Sequence, residues 1–482
     1  MPMHVFDLDY DSFCSICGLL SRSDLRALSS LSKNGFNMVV PALVRTVTLL
    51  DFCNFALKHA LCPSIISLTG YIQGIDIPHA DMFASALIEV LEKATNLAHL
   101  RFKGRVNALL ESQPRIANIV CDHPPALSFE LSWADLHPLK SFTSISGLVH
   151  LDIRTSGLPR YYGEQEEAVE AIVMNSSSTL ETISLGHAVP ICLRLQGPPP
   201  FSCIRVRHLS MLGSSVLPEK VALMFPNLQS LEMRQSLTVA TTKASEFEVR
   251  SPPLLLFDCP PRTLWTGLRS FSGPRQLAFN LTRHHPLRRI SFKHHSPYSD
   301  ASEFIMLSDT FINSDIRSFS LEVNLLEGGS DLVVSSADGI RVPSLLDPLF
   351  SALSHSGTSL TFLSIRTGKL NGTIPLCVGH LIRNASLLAP LRNLKYIQLE
   401  AVTWSGFIFA HDPVDIISAT PEEIVQAWAT GVPSLQYLAL NVVSMGWGHS
   451  WWRIEPRDRT YRRLSEEEGT DTQNWYDLEE WK

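Results

Sequence analysis

Cysteine and histidine pairs are the places where this chain's side chains could do chemistry at close spacing. Cys14-x-x-Cys17 has the separation of a redox or zinc pair. No second cysteine pair follows at zinc spacing, and both thiols fall within an apolar helical pattern of Phe13, Ile16, Leu19 and Leu20, so two sequestered cysteines are expected. His284-His285 and His294-His295 flank a predicted strand, but no carboxylate or cysteine stands at ligand spacing from them. The chain carries no G-x-x-x-x-G-K-[ST] phosphate loop, no G-x-G-x-x-G after a strand, no H-E-x-x-H and no G-x-S-x-G. No catalytic, cofactor-binding or metal-binding residue is expected.

What the side chains offer instead is a surface. Polar and aromatic residues alternate with strand leucines along most of the chain, and alternation sends them to the face opposite the leucines. The candidates for partner contact are His99, Arg101, His150, Asp152, Arg154, Glu232, Arg234, Arg289, Lys293, Phe362, Arg366, Tyr396, Glu400, Tyr437 and Asn441. The set is basic early and aromatic late, and Arg and Tyr are the residues that most often anchor protein interfaces.

The elements that must position them are stated most clearly between Thr420 and Leu440. Thr420 can cap a helix, Pro421 suits its first position, and Glu423 completes a capping box. Ile424, Ala427 and Trp428 form one helical face, and Gly431 can end the helix in a left-handed turn before Pro433. Leu435-x-x-Leu438-x-Leu440 then reads as a turn and a short strand. The same phrase recurs at Leu97/Leu100/Phe102, Leu148/Leu151/Ile153, Leu180/Ile183/Leu185, Val206/Leu209/Met211 and Leu228/Leu231/Met233. It continues at Leu287/Ile290/Phe292, Ile316/Phe319/Leu321, Leu360/Leu363/Ile365 and Leu394/Ile397/Leu399. Val44/Val47/Leu49 and Ile116/Ile119/Cys121 read as weaker copies, and Ile65/Leu68 and Leu268/Phe271 as degenerate ones. Amphipathic helices precede several copies: Ala84, Leu87, Ile88 and Leu91; Val169, Ile172 and Val173; Val221, Leu223 and Met224. A unit too small to bury its own apolar face must stack on its neighbours. The expected fold is α/β, a leucine-rich-repeat solenoid with a curved parallel sheet and helices on its convex side. Ser236 to Arg262 and Leu325 to Pro343 interrupt the rhythm and read as inserted loops.

Composition agrees with a folded chain. Hydrophobic residues make up 45% of the 482, charged residues 18%, and the formal net charge is -7. That balance argues against a nucleic-acid binder. Nine scattered cysteines are not a disulfide framework, and no stretch reads as a signal peptide or a membrane span, so an intracellular protein of cytoplasm or nucleus is expected.

The first fifty residues have a separate character. Phe13, Ile16, Leu19 and Leu20, then Leu25, Leu28 and Leu31, then Phe36 and Val40 before Pro41, outline three short helices. This run resembles an F-box, and with the repeats behind it the chain resembles the fungal F-box/leucine-rich-repeat proteins. The resemblance implies that Phe13, Ile16, Leu19, Leu20, Leu25, Leu28, Leu31 and Pro41 dock on a Skp-type linker subunit. It further implies a non-enzymatic substrate adaptor of a cullin–RING ubiquitin ligase, holding a protein substrate on the repeat face. The other reading of the module is a helical cap on a stand-alone interaction scaffold. The expected organisation is 1–50 helical module, 51–443 solenoid, and 444–482 a cap at Trp447 to Ile454 followed by a partly ordered tail. No cofactor, nucleic acid, membrane or second copy of the chain is expected as a partner.

Overall fold

A computed structural model describes residues 49–72, 77–104, 106–122, 128–134, 137–155, 163–186, 201–212, 218–234, 265–273, 275–293, 311–312, 314–325, 346–356, 358–369, 385–403, 420–442 and 447–478. The expected linker-docking residues Phe13 to Pro41, the Cys14/Cys17 pair, His294-His295, the Ser236–Arg262 insertion and all but the first residue of the Leu325–Pro343 insertion lie outside these residues.

The chain divides into two compact units, Met1–Leu180 and Glu181–Lys482. In the first, α1 (Leu49–Lys58), β1 (Ser67–Ile72), α2 (Ile77–Lys93), β2 (His99–Gly104), α3 (Val106–Ser112), α4 (Arg115–Asp122), β3 (Ser128–Ala134), β4 (His150–Thr155) and α5 (Gly163–Asn175) follow one another. Strands β1 to β4 pair in parallel and in sequence order.

The second unit holds β5 (Thr182–Gly186), β6 (His208–Leu212), α6 (Pro218–Met224), β7 (Ser230–Arg234), β8 (Ser270–Ser272), α7 (Arg275–Thr282), β9 (Arg289–Lys293) and β10 (Ser318–Leu325). It continues with α8 (Leu346–Ser356), β11 (Phe362–Lys369), β12 (Tyr396–Thr403), α9 (Pro421–Gly431), β13 (Tyr437–Val442), β14 (Trp447–Ile454), β15 (Tyr461–Arg463) and α10 (Glu466–Leu478). Strands β5 to β13 are parallel and again in sequence order. Among the described strands only β14 and β15 turn antiparallel. Parallel strands laid down in order, alternating with helices, are consistent with a leucine-rich-repeat-like solenoid.

The spaced leucines do what their spacing demands. Leu148, Leu180, Val206, Leu228, Leu268, Leu287, Ile316, Leu360, Leu394 and Leu435, each the first position of its phrase, are at most 1% exposed, whereas Leu97 is half-buried. The two strand positions align between neighbours: Phe319 pairs with Ile290 and Leu363, and Leu321 with Phe292 and Ile365. Each such side chain gains about 1.5–3 kcal/mol by leaving water. The residue just before the first leucine ties neighbouring units together. Asn227 Nδ2 donates to the Ile204 carbonyl (2.8 Å), Asn393 Nδ2 to that of Thr358 (2.8 Å), and Ser434 Oγ to that of Leu391 (2.7 Å). Asn96 and Thr179 do the same in the first unit, to Pro63 and Leu148. These bonds satisfy turn carbonyls that no strand ladder reaches.

Four local expectations are corrected. Ile116, Ala117 and Val120 recur at helical spacing behind Pro114, and the segment is α4, not a strand; the strand is β3, whose Phe129 and Leu131 are buried. Leu49 begins a helix. Leu223 is not on the buried face of α6 but is 57% exposed. Gly431 does not terminate its helix in a left-handed turn: it is the last residue of α9, and Val432 is the cap. A Cβ at Gly431 would stand 2.9 Å from Ala385 Cβ, so glycine is there for close packing against the 3-10 helix Ala385–Leu388. The capping box at Thr420 and Glu423 is present as expected.

Candidate functional site

The face opposite the leucines is polar in the first unit. By register, Arg101, Glu130 and Asp152 form one row across β2, β3 and β4, and Lys103, Ser132 and Arg154 the next. Arg101 pairs with Glu130, whose carboxylate also accepts from Ser132 Oγ at 2.8 Å. Glu130 and Ser132 are buried, so the floor of this patch is an acid whose charge a guanidinium balances. Arg154 grips Asp152 with two bonds, Nε to Oδ1 at 3.0 Å and Nη2 to Oδ2 at 2.6 Å. His99, Arg101, His150 and Arg154 are exposed. The structure therefore brings five of the expected residues together on one strand face. Glu130 and Ser132 are absent from the residues the sequence points to, because the Ile116/Ile119/Cys121 spacing mimics a strand; the alternation Ser128-Phe129-Glu130-Leu131 is the signal that marks them.

In the second unit the central row of the same face is built mostly of serine. Ser184, Ser210, Glu232, Ser272, Ser291, Ser320, Ser364, Gln398, Ala439 and Trp451 are successive partners. Glu232 accepts from Ser210 Oγ at 2.8 Å, and Arg289 is half-buried. In backbone register Lys293, Glu322, Arg366 and Glu400 share a row of alternating charge, and Arg234 pairs with Leu212. Arg366 Nε lies 3.6 Å from Glu400 Oε1.

At β11 to β13 the row beside the serines becomes aromatic. Phe362 and Tyr396 stack at 5.2 Å between ring centroids, and Tyr396 and Tyr437 at 6.3 Å. These residues were expected to face a partner. They face the chain itself: α10 lies on them, where a partly ordered tail was expected. Tyr476 sits against Tyr396 (5.3 Å) and Tyr437 (5.7 Å). Gln473 Nε2 reaches Gln398 Oε1 (3.5 Å), and Gln473 Oε1 accepts from Trp451 Nε1 (3.3 Å). Gly469 packs directly on the Trp451 indole. Phe362 and Tyr396 are left 2% and 1% exposed. Asn441 is buried too, donating to Glu400 Oε1 at 3.3 Å and facing His449 Nε2. Helix α10 is launched by a second capping box: Glu468 N–H donates to Ser465 Oγ, and Ser465 N–H to Glu468 Oε2. Ser465-x-x-Glu468, followed by Gly469 and Tyr476, was the sequence signal for it.

Among the described residues, Cys53, Cys203 and His285 belong to the core. Burial pushes the Cys53 and Cys203 thiols up to about 12, which keeps them unreactive at neutral pH. His285 is buried, its Nδ1 2.8 Å from the Trp265 carbonyl and its ring 6.0 Å from the Trp265 indole. Among the described residues no group of three or more His, Cys, Asp and Glu could hold a metal ion, and no helix is long and apolar enough to cross a membrane. No protein-family model matches the chain, and no curated protein matches it.

Proposed function

We propose that this protein is a non-enzymatic adaptor that holds a protein partner on the strand face of its repeats. The observation that carries the reading is the polar patch on β2 to β4, where exposed His99, Arg101, His150 and Arg154 surround a buried, charge-balanced Glu130. Guanidinium groups held by carboxylates are already oriented, so little side-chain freedom is lost when a partner binds. The resemblance of residues 13–47 to an F-box supplies the second half of the proposal. That module docks on a Skp-type linker, and the repeats bring a substrate near the ubiquitin-transfer machinery, so that catalysis is positional.

Two captures with the full chain test this. The wild-type chain is expected to retain the linker subunit, and the Leu25→Asp/Leu28→Asp chain to lose it. Arg154→Glu is expected to change which cell proteins co-purify while leaving the linker bound. Equal linker capture by both chains, or none by either, sinks the ligase-adaptor half and leaves a stand-alone scaffold. An Arg154→Glu capture identical to wild type removes the β2–β4 face from the proposal.

A further inference from the structure

Helix α10 is an unusual cover for an aromatic surface. Of its side chains from Glu466 to Tyr476 only Tyr476 is buried; the other buried position is Gly469, which has no side chain to bury. Three glutamates open the helix, and Trp475 is 47% exposed. The surface beneath is the opposite: Phe362, Tyr396, Ala439 and Trp451 are buried together and come from four different strands. The partners of Phe362 in the same row on β7 to β10, Ser230, Ser270, Arg289 and Ser318, are all polar. The row turns aromatic only where α10 lies.

The contacts also specify what this surface accepts. Gly469, Gln473 and Tyr476 fall at i, i+4 and i+7, one stripe of a helix. The glycine lets the helix backbone approach the Trp451 indole. The glutamine bonds both Gln398 and Trp451 Nε1. The tyrosine closes on Tyr396 and Tyr437.

We propose that the aromatic end of the strand face is a docking site for a helical segment of a partner, one with a small residue, an amide and an aromatic at this spacing. In the free protein α10 occupies the site as an intramolecular ligand. A tethered segment competes at an effective concentration of about millimolar, so a free helix gains the site only when α10 is displaced. This rests on the reading of the strand face as the binding surface, and α10 then sets when its aromatic end is open.

The test uses the full chain and a fluorescently labelled synthetic peptide of residues 464–482. Two variants free the site: Gly469→Leu, which cannot sit on Trp451, and Tyr476→Ala, a milder change that removes the one buried side chain. The peptide is expected to bind each variant at least about tenfold tighter than wild type, and a peptide carrying Tyr476→Ala to lose at least about tenfold. Binding to neither variant, when either keeps the wild-type thermal transition, overturns the proposal. So does equal binding to wild type and variants. If both variants lose the fold, α10 is an integral part of the core and the proposal also fails. The adaptor reading fails separately, through the linker and Arg154→Glu captures, whatever the peptide does.

Discussion

Gly469 lies flat against Trp451: a Cβ built on the glycine would stand 2.7 Å from Trp451 Cβ and closer still to the indole ring. Real side chains do not approach so closely, and Trp451 is held by β13 through Ala439 and by Gln473 through its Nε1. Gly469→Ala should therefore lift α10 from the face at a cost of about 1–3 kcal/mol. Brief trypsin treatment followed by mass spectrometry checks this. Cleavage at Arg462 and Arg463 should quicken in the variant while sites in β5 to β9 keep their wild-type rate.

The asparagines before the leucines make a second, independent expectation. Asn227 and Asn393 each close a turn by a single bond to the preceding unit's carbonyl. Replacing either with Ala should cost about 0.5–1.5 kcal/mol, at the low end because both sites are solvent-exposed. The two are far apart along the sheet, so their costs should add within about 0.5 kcal/mol. Denaturant unfolding of the two single variants and the double variant measures both the size and the additivity.

Much of the architecture was legible because leucine spacing is a strong physical signal. Leu435, Leu438 and Leu440 could be buried together only on a short strand after a turn, and the same held for most other copies. The strand signal is ambiguous where two periods overlap. Ile116, Ile119 and Cys121 fit the strand template, but Ile116, Ala117 and Val120 fit a helix better, and Pro114 favours its start. The identity of the polar face was equally legible, since alternation alone puts Arg101 and Tyr396 opposite the leucines. That Arg101 stays open while Tyr396 is covered was not. Covering depends on a helix that begins 70 residues after Tyr396, at Glu466, and whose contact stripe contains a glycine, a residue with no hydrophobic signature. The strand-to-solvent alternation is local; the burial of one end of it is tertiary.

The Arg101–Glu130 pair carries an asymmetry that a double-mutant cycle can read. Glu130 is 9% exposed and Arg101 about half exposed. Removing the arginine leaves a buried carboxylate that, among the described residues, keeps the bond from Ser132, whereas removing both groups leaves no stranded charge. Arg101→Met should cost about 1–2 kcal/mol, a figure lowered from that of a fully buried pair by the solvent around the guanidinium. Arg101→Met/Glu130→Leu should recover most of that loss. A double variant less stable than Arg101→Met would mean that the acid is solvated.

His285 gives the expected response to pH. Burial holds its imidazole below the ordinary histidine range, and neighbouring His284 pushes the same way, against the opposing pull of the Trp265 carbonyl. That carbonyl can only accept, so Nδ1 carries the proton of the neutral ring. The unfolded chain titrates this histidine near 6.5 and the folded chain titrates it lower. Between those two values the unfolded state binds the extra proton, so stability rises with pH. The contribution of neutral His285 is thus fully present above about pH 6.5 and is lost as pH falls through the folded value. His285→Asn keeps an N–H donor near the position of Nδ1 but cannot titrate. Thermal melts between about pH 5 and 7.5 should show wild type more stable than this variant at the upper end, with the gap narrowing steadily as the solution is acidified. A gap that stays constant over that range would show that His285 binds its proton equally in the folded and unfolded chains.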